Sequence, residues 1–197
     1  GNSKLKDVIA KCKAANMPNE TINNAIKKAS GSSDSANYEE VTYEGYGVSG
    51  VAVIINASTD NRNRTAADIR HIFDKAGGNL GTTGCVSYMF EKKGVIVIEK
   101  ESTQLSEDDL MMLAIEAGAE DFVADDECYE ITTTPENFSA VREELEKNNL
   151  TFLEADIKMI PNTYVKLNEK DAERMENFLE KLEDLDDVSD VYHNWEE

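Results

Sequence analysis

Between Val95 and Ile160 the spacing of apolar residues switches repeatedly between a period of two and a helical period, and few folds accept the resulting order. Strand-type runs occupy Val95 to Glu99, Asp121 to Ala124, Cys128 to Thr133 and Phe152 to Ile160, with helix-type spacing over Glu107 to Ala117 and Pro135 to Lys147. The order βαββαβ is that of the ferredoxin-like split-βαβ arrangement. Ser106 with Asp109, and Thr134 ahead of Pro135, are the starts such helices need, because each places a hydroxyl where the first turn leaves N–H groups unpaired.

The flanking segments follow other rules. Leu5, Val8, Ile9 and Cys12 share one helical face, and Ile22, Ala25, Ile26 and Ala29 another, with Pro18 between and Gly31 as a stop; this predicts a helical hairpin. Two short helices bury little surface, so the hairpin docks on the remaining chain or is part of a larger helical unit. Gly31 to Asn37 reads as a linker. Val41 and Tyr43 alternate with polar groups and Val51 to Ala57 is a β-branched run, so a strand pair follows. A helix opened by Thr65 with Asp68 carries Ala66, Ile69, Phe73 and Ala76 inward and stops at Gly77; Val86, Tyr88 and Phe90 resume strand alternation. After Pro161, Asn168 with Asp171 opens a helix with Ala172, Met175, Leu179, Leu182 and Leu185 on its apolar face, and Val188 to Tyr192 reads as a last strand. One helix and one strand cannot form a core alone, so they pack back on the first α/β unit. The expected fold is α+β: a partial helical domain over 1–33, a discontinuous α/β domain over 34–92 and 163–197, and an acidic ferredoxin-like domain inserted over 93–162.

Charge divides the chain unevenly. The net charge is −20, which by itself disfavours a phosphate-backbone partner, yet residues 1–31 hold six lysines against two acids. Residues 32–93 hold six basic and eight acidic groups, and residues 94–197 eight against thirty. An anionic polymer can meet the first half while the second half repels it or serves only as a solvated surface. The longest apolar run, Val51 to Ile55, is far below the roughly 20 residues of a membrane span, so the cytoplasm is the expected compartment, without membrane contact. Cys12, Cys85 and Cys128 are odd in number and widely spaced, which fits small reduced core residues and neither disulfides nor a zinc site.

Enzyme signals are weak. Gly45-x-Gly47-x-x-Gly50 has the letters of a dinucleotide loop, but it opens a strand where such a site needs a helix N-terminus, so a glycine turn between strands is the reading. His71 and His193 lack any metal-ligand spacing, no signature surrounds Cys85, and Asp125-Asp126-Glu127 reads as a hairpin turn. No cofactor, metal, small-molecule substrate or catalytic residue is expected. The run Thr59 to Thr65 is different. Asn61, Arg62, Asn63, Arg64 and Thr65 combine guanidinium forks, amide donors and a helix start, with Arg70 and Lys75 further along and Lys92 and Lys93 beyond the glycine loop. These groups hold phosphate oxygens. The same residues also admit a structural reading, in which Asp60 and Asn63 cap a turn and the arginines pair with nearby acids, for example Arg70 with Asp74.

Asn16-Met17-Pro18, Tyr43 to Gly47, Thr59 to Thr65, Gly77 to Gly81, Gly84 to Phe90 and Glu183 to Val188 together resemble the YebC/PmpR family, which also holds the mitochondrial translational activator of cytochrome oxidase. The resemblance runs nearly end to end and implies three domains, one helical and two α/β, the third inserted in the second. Val48 and Ser49 depart from the Pro or Gly turn expected there, and family members begin with a longer Lys/Arg-rich helical segment than the one starting at Gly1. The family implies a non-enzymatic regulator of gene expression that binds nucleic acid, either DNA in transcription or ribosomal RNA in a translation factor acting on stalled ribosomes. A protein-interaction module without nucleic-acid contact is the further alternative. The oligomeric state is left open.

Overall fold

A computed structural model describes residues 3–31 and 38–196, and within them the side chains of residues 3, 4, 7, 14 and 28–31 are left out. The chain divides into two compact units, 1–38 and 39–197.

In the first unit α1 (Ser3–Ala14) and α2 (Asn19–Gly31) form the expected hairpin. Asn16 takes a left-handed φ of 57°, and the Met17 N–H closes α1 on the Cys12 carbonyl at 2.8 Å. Ile22 is buried, whereas Leu5 and Val8 stay exposed. Gly31, read as the first residue of the linker, is the last of α2, and the rest of the expected linker, 32–37, lies outside the described residues.

The second unit holds two four-stranded antiparallel sheets. The first, ordered β3-β1-β2-β8, uses β1 (Glu39–Tyr46), β2 (Ala52–Thr59), β3 (Asn79–Leu80) and β8 (Val188–His193). The second, ordered β5-β6-β4-β7, uses β4 (Phe90–Glu99), β5 (Asp121–Ala124), β6 (Cys128–Thr133) and β7 (Glu154–Pro161), all lying in sequence between β3 and β8. That order, with α4 (Glu107–Ala117) after β4 and α5 (Phe138–Lys147) after β6, is the ferredoxin-like arrangement.

The first sheet is covered on one face by α3 (Arg62–Ala76) and α6 (Glu169–Glu183). Val53 and Ile55 of β2 meet Ile69 and Phe73 of α3 and Met175, Phe178 and Leu182 of α6. The Phe73 and Phe178 rings meet edge to face at 4.9 Å, which locks the two helices side by side. Phe73 crosses so close to β1 that a Cβ on Gly45 would lie 2.8 Å from its ring and 2.5 Å from the Asn79 carbonyl, so only glycine fits there. Strand alternation sends Ala52 and Ile54 to the opposite face, where they pack on Val86 and Phe90. The second sheet buries Ile96, Ile98, Tyr129 and Ile131 under α4 and α5.

Several boundaries differ from the sequence reading. The cap of α3 is Asn61, not Thr65, because the Asn61 side chain accepts the Arg64 N–H while Thr65 turns inward and is buried. Ser87–Met89 is a single 3-10 turn where strand was expected, and β4 begins at Phe90, not Val95. Residues 135–137 form a turn held on Thr134, so α5 begins at Phe138. The Gly47–Gly50 segment is a turn between β1 and β2, with Ser49 at φ 52° and Gly50 at φ 82°. The cysteines are free, but all three are half-buried; Cys85 packs only at the margin of a small cluster, which corrects their placement as core residues.

Because residues 39–197 carry both apolar cores, a chain starting at Tyr38 is expected to keep a cooperative thermal melt and the circular dichroism of a mixed fold. Loss of that cooperative transition would place the hairpin in the main core instead.

Candidate nucleic-acid interface

The Thr59–Thr65 run sits where β2 hands over to α3, and much of it is engaged in holding that junction together. Asn61 accepts the Arg64 N–H at 3.2 Å and donates its own N–H to Thr59 Oγ1 at 2.9 Å. The buried Thr65 hydroxyl lies 2.6 Å from Asp187 Oδ2, and Thr59 Oγ1 lies 2.8 Å from Thr65 Oγ1. Arg64 reaches Asp60 and Asp187, both at 2.9 Å from Nη2. The Thr65 hydroxyl and the Arg64 guanidinium hold the Asp187 carboxyl below the usual carboxylate range. Asp187 follows α6, so this network fastens the last β-strand's approach to the start of α3.

The nine candidate residues therefore fall into distinct positions. Arg64 and Thr65 are bound into the Asp187 network, and Lys93 is bound between Glu91 at 3.2 Å and Glu120 at 2.7 Å. Arg62 reaches Glu39 only at 3.6 Å and stays well exposed. Asn63, Arg70 and Lys75 are exposed on α3 or half so and make no ion pair or side-chain hydrogen bond among the described residues; in particular, Arg70 does not pair with Asp74. Lys92 is free in the same sense, but it stands on β4 in the second sheet. At about 1.5 Å and 100° per residue, Arg62 and Lys75 are roughly 20 Å apart along the helix and, with Arg70, point in different directions around it, so they form neither one pocket nor one stripe.

Lys75 lines a groove of about 680 Å³ between α3 and α6, together with His71, Lys170, Arg174, Lys181 and the acids Glu173, Glu176 and Glu180. Arg174 is fixed by Asp171 at 2.9 Å and by the Ala76 carbonyl at 2.9 Å. In residues 39–197, α3 is the helix with more basic than acidic groups, four against two; α4, α5 and α6 are all acidic in balance.

The opposite face of the first sheet carries a feature that pattern reading did not single out. Glu44 is only 4% exposed, and its carboxylate accepts the N–H groups of Gly84, Val86 and Ser87 at 2.9–3.0 Å. Burial pushes its carboxyl up, but the three backbone donors outweigh that and hold it below the usual range. The glycine loop after β3 is thus bound to the sheet, with Thr82, Thr83, Gly84 and Tyr88 exposed on its outer side. Asp187 and Glu44 both stand in motifs that carried the family resemblance, which is the one signal the sequence offered for them.

The open face of the ferredoxin-like sheet lacks the features of an RNA-reading platform. Opposite the helices, strand alternation places Lys93, Val97, Asp121, Glu130, Thr132, Asp156 and Lys158, with Val95 buried among them. Stacking platforms of this topology need aromatic rings there, and carboxylates repel phosphate.

Among the described residues there is no His/Cys/Asp/Glu group arranged to hold a metal ion, and no helix long and apolar enough to cross a membrane. The fold and its surface define a two-sheet α+β protein with a basic helical hairpin ahead of it and a basic helix on its outer face. Residues 1–32 match the description "TACO1/YebC protein N-terminal domain" and residues 38–195 match "TACO1/YebC second and third domain". The chain belongs to the TACO1/YebC family. A probable transcriptional regulatory protein of Acetivibrio thermocellus is 66% identical over 195 residues, which span 98% of this chain and 80% of that protein. One of Caldicellulosiruptor saccharolyticus is 61% identical over 196 residues, spanning 100% and 81%. The crystal structure of a conserved hypothetical protein, Aq1575 from Aquifex aeolicus, superposes with a TM-score of 0.84 at 45% identity, covering 99% of this chain and 80% of that one.

Glu44 yields a pH test. A carboxylate held low in the folded state contributes stability that is fully present above its unfolded value, near pH 4.3, and is lost as pH falls through the lower folded value. Glu44→Gln keeps the shape but loses acceptor strength, so it should lower stability at pH 7 by about 2 kcal/mol, the scale of hydrogen bonds to a charged group. The difference from the parent should shrink in melts taken near pH 3. A constant difference across that range would mean Glu44 acts through packing.

Proposed function

We propose that this chain is a non-enzymatic regulator of gene expression that works by contacting the phosphate backbone of nucleic acid, with α3 supplying the contact on the α/β unit. The carrying observation is the set of unengaged or weakly engaged cations Arg62, Arg70 and Lys75, spread around the exposed side of the basic helix of an otherwise acidic unit. Fixed cations free of protein partners release counterions when they meet phosphates, and that release drives association. The names of the relatives, probable transcriptional regulatory proteins, support a role in regulation. The basic hairpin of α1 and α2, six lysines against two acids over residues 1–31, supports a second phosphate contact.

The contact carries little base-edge reading. Asp68 and Asp74 interrupt the cations on α3, and the inner side of the helix is buried on the first sheet, so no stripe of side chains is shaped to follow a major groove. Backbone recognition of this kind suits structured RNA as well as DNA, and purified ribosomes against promoter DNA separate a translation factor from a transcription factor.

Replacing Arg62, Arg70 and Lys75 together with alanine should flatten the dependence of log K on log salt by about two to three units, since each neutralised phosphate contributes about 0.7–0.9. The melting temperature should change little, because exposed charges contribute less than about 1 kcal/mol. Arg64→Ala serves as the contrast: it should cost stability through Asp187 and leave the salt slope near the parent's. An unchanged slope in the triple variant would remove α3 from the interface.

A further inference from the structure

The two exposed tyrosines of residues 39–197, Tyr88 and Tyr164, stand on adjoining segments. Tyr88 is 71% exposed and Tyr164 57% exposed, although a tyrosine ring gains by burial. The Asn162 N–H donates to the Met89 carbonyl at 2.8 Å, and Phe90 pairs with Pro161 in the β4–β7 register, so each tyrosine lies within two residues of one shared backbone junction. The loop bearing Tyr88 is fixed by the three N–H bonds to Glu44. The Tyr46 hydroxyl donates to the Cys85 carbonyl at 3.3 Å, a second tie between the sheet and the loop that carries Tyr88.

The surroundings are polar and carry cations. Thr82, Thr83, Asn162 and Thr163 are exposed there. Lys92 is free two residues along β4 from Phe90, and Lys166, 81% exposed, lies two residues beyond Tyr164. The acids nearby are engaged: Glu91 with Lys93, Glu196 with Lys166 at 3.3 Å, and Glu44 with the loop. With Lys92, Lys93 and Lys166 against Glu44, Glu91, Glu120 and Glu196, this patch is far less acidic than the chain's net charge of −20 would suggest.

We infer that Tyr88 and Tyr164 form a stacking platform for unpaired bases, so that the nucleic acid engaged is single-stranded at this site. This inference rests on the nucleic-acid reading above and specifies its ligand. Exposed aromatic rings accept bases of any identity, and amide and hydroxyl groups beside them meet base edges, while the unpaired Lys92 two residues from Phe90 supplies a nearby cation. A duplex hides its base faces and gains nothing from such rings.

The test uses the full chain and fluorescence anisotropy with three labelled probes of about twelve nucleotides: oligouridine RNA, oligothymidine DNA and a duplex. The parent should bind one or both single strands more tightly than the duplex. Tyr88→Ala and Tyr164→Ala should each weaken single-strand binding about tenfold and leave duplex binding unchanged, and Tyr164→Phe should bind like the parent because the ring is kept. The salt slope should stay at the parent's value, since no cation is removed. If the tyrosine variants bind single strands like the parent while the α3 variant still loses salt dependence, this inference fails and the proposed function stands. If the parent binds none of the probes and no ribosomes at low salt, both fall. If Tyr88→Ala melts early, Tyr88→Phe and the Tyr164 pair decide: a tenfold loss in Tyr164→Ala with an unchanged melt supports the platform, and no loss overturns it.

Discussion

The pairing of β2 with β8 is the constraint on which the rest of the α/β unit depends. It joins residues 53–57 to residues 188–193 across the whole ferredoxin-like segment, so the chain must return to its own start before the first sheet exists. Both ends of that pairing are tied by polar groups. At one end the fully buried Asn194 accepts the Ala52 N–H through its side chain at 2.8 Å and returns its own N–H to the Ala52 carbonyl at 3.2 Å. At the other, the Asp187 carbonyl accepts the Ser58 N–H at 2.8 Å while its carboxylate holds Thr65 and Arg64. A one-residue slip would turn Val191 of β8 away from the core under α3 and α6, so these ties and the hydrophobic face fix the same register.

That closure decides which surfaces remain for a partner. The first sheet has its helices on one face, and on the other the Glu44-anchored loop with the edge of the second sheet. The outward sides of α3 and α6 and the outer rim of the glycine loop stay open, and these are where unengaged cations and exposed rings occur. The Thr59–Thr65 run serves both needs unequally. Its inward members, Thr65 and Arg64, join β2, α3 and Asp187, and only Arg62 and Asn63 point to solvent without strong partners.

Most of the fold was legible because hydrophobic period is a local property: Glu107–Ala117, Asp121–Ala124 and Cys128–Thr133 were bounded correctly from spacing alone. The misplaced boundaries share a cause. Asn61 out-competes Thr65 as the α3 cap because Thr65 is drawn inward by an acid 122 residues away, and residues 87–89 abandon strand because Glu44 fixes the loop ahead of them. Long-range polar contacts of this kind leave no periodic trace. The candidate site was legible as a composition of phosphate-holding groups, but which arginine is free depends on where Asp60, Asp187 and Glu39 fall in space. A buried Glu44 was invisible for the opposite reason: in the pattern Thr42-x-Glu44-x-Tyr46 it reads as the solvent face of a strand.

The acidity of residues 94–197 bears on how any such partner would approach. Thirty carboxylates against eight cations repel a polyanion over distances comparable to the Debye length, about 10 Å at 0.1 M salt, while a cation at a phosphate acts within contact distance. Added salt therefore has two opposed effects on this molecule: it weakens the local contacts on α3 by reducing counterion release, and it relieves the longer-range repulsion from the acidic residues of 94–197, in α6 and in the second sheet alike. The slope of log K against log salt in the parent should then be shallower than the number of phosphates contacted. The difference in slope between the parent and a variant lacking surface cations on α3 cancels most of the repulsive part, because the acidic body is the same in both. In orientation the two effects agree, since a strand repelled from the ferredoxin-like sheet is favoured at the less acidic surfaces, α3, the tyrosine rim and the lysine-rich hairpin of residues 1–31.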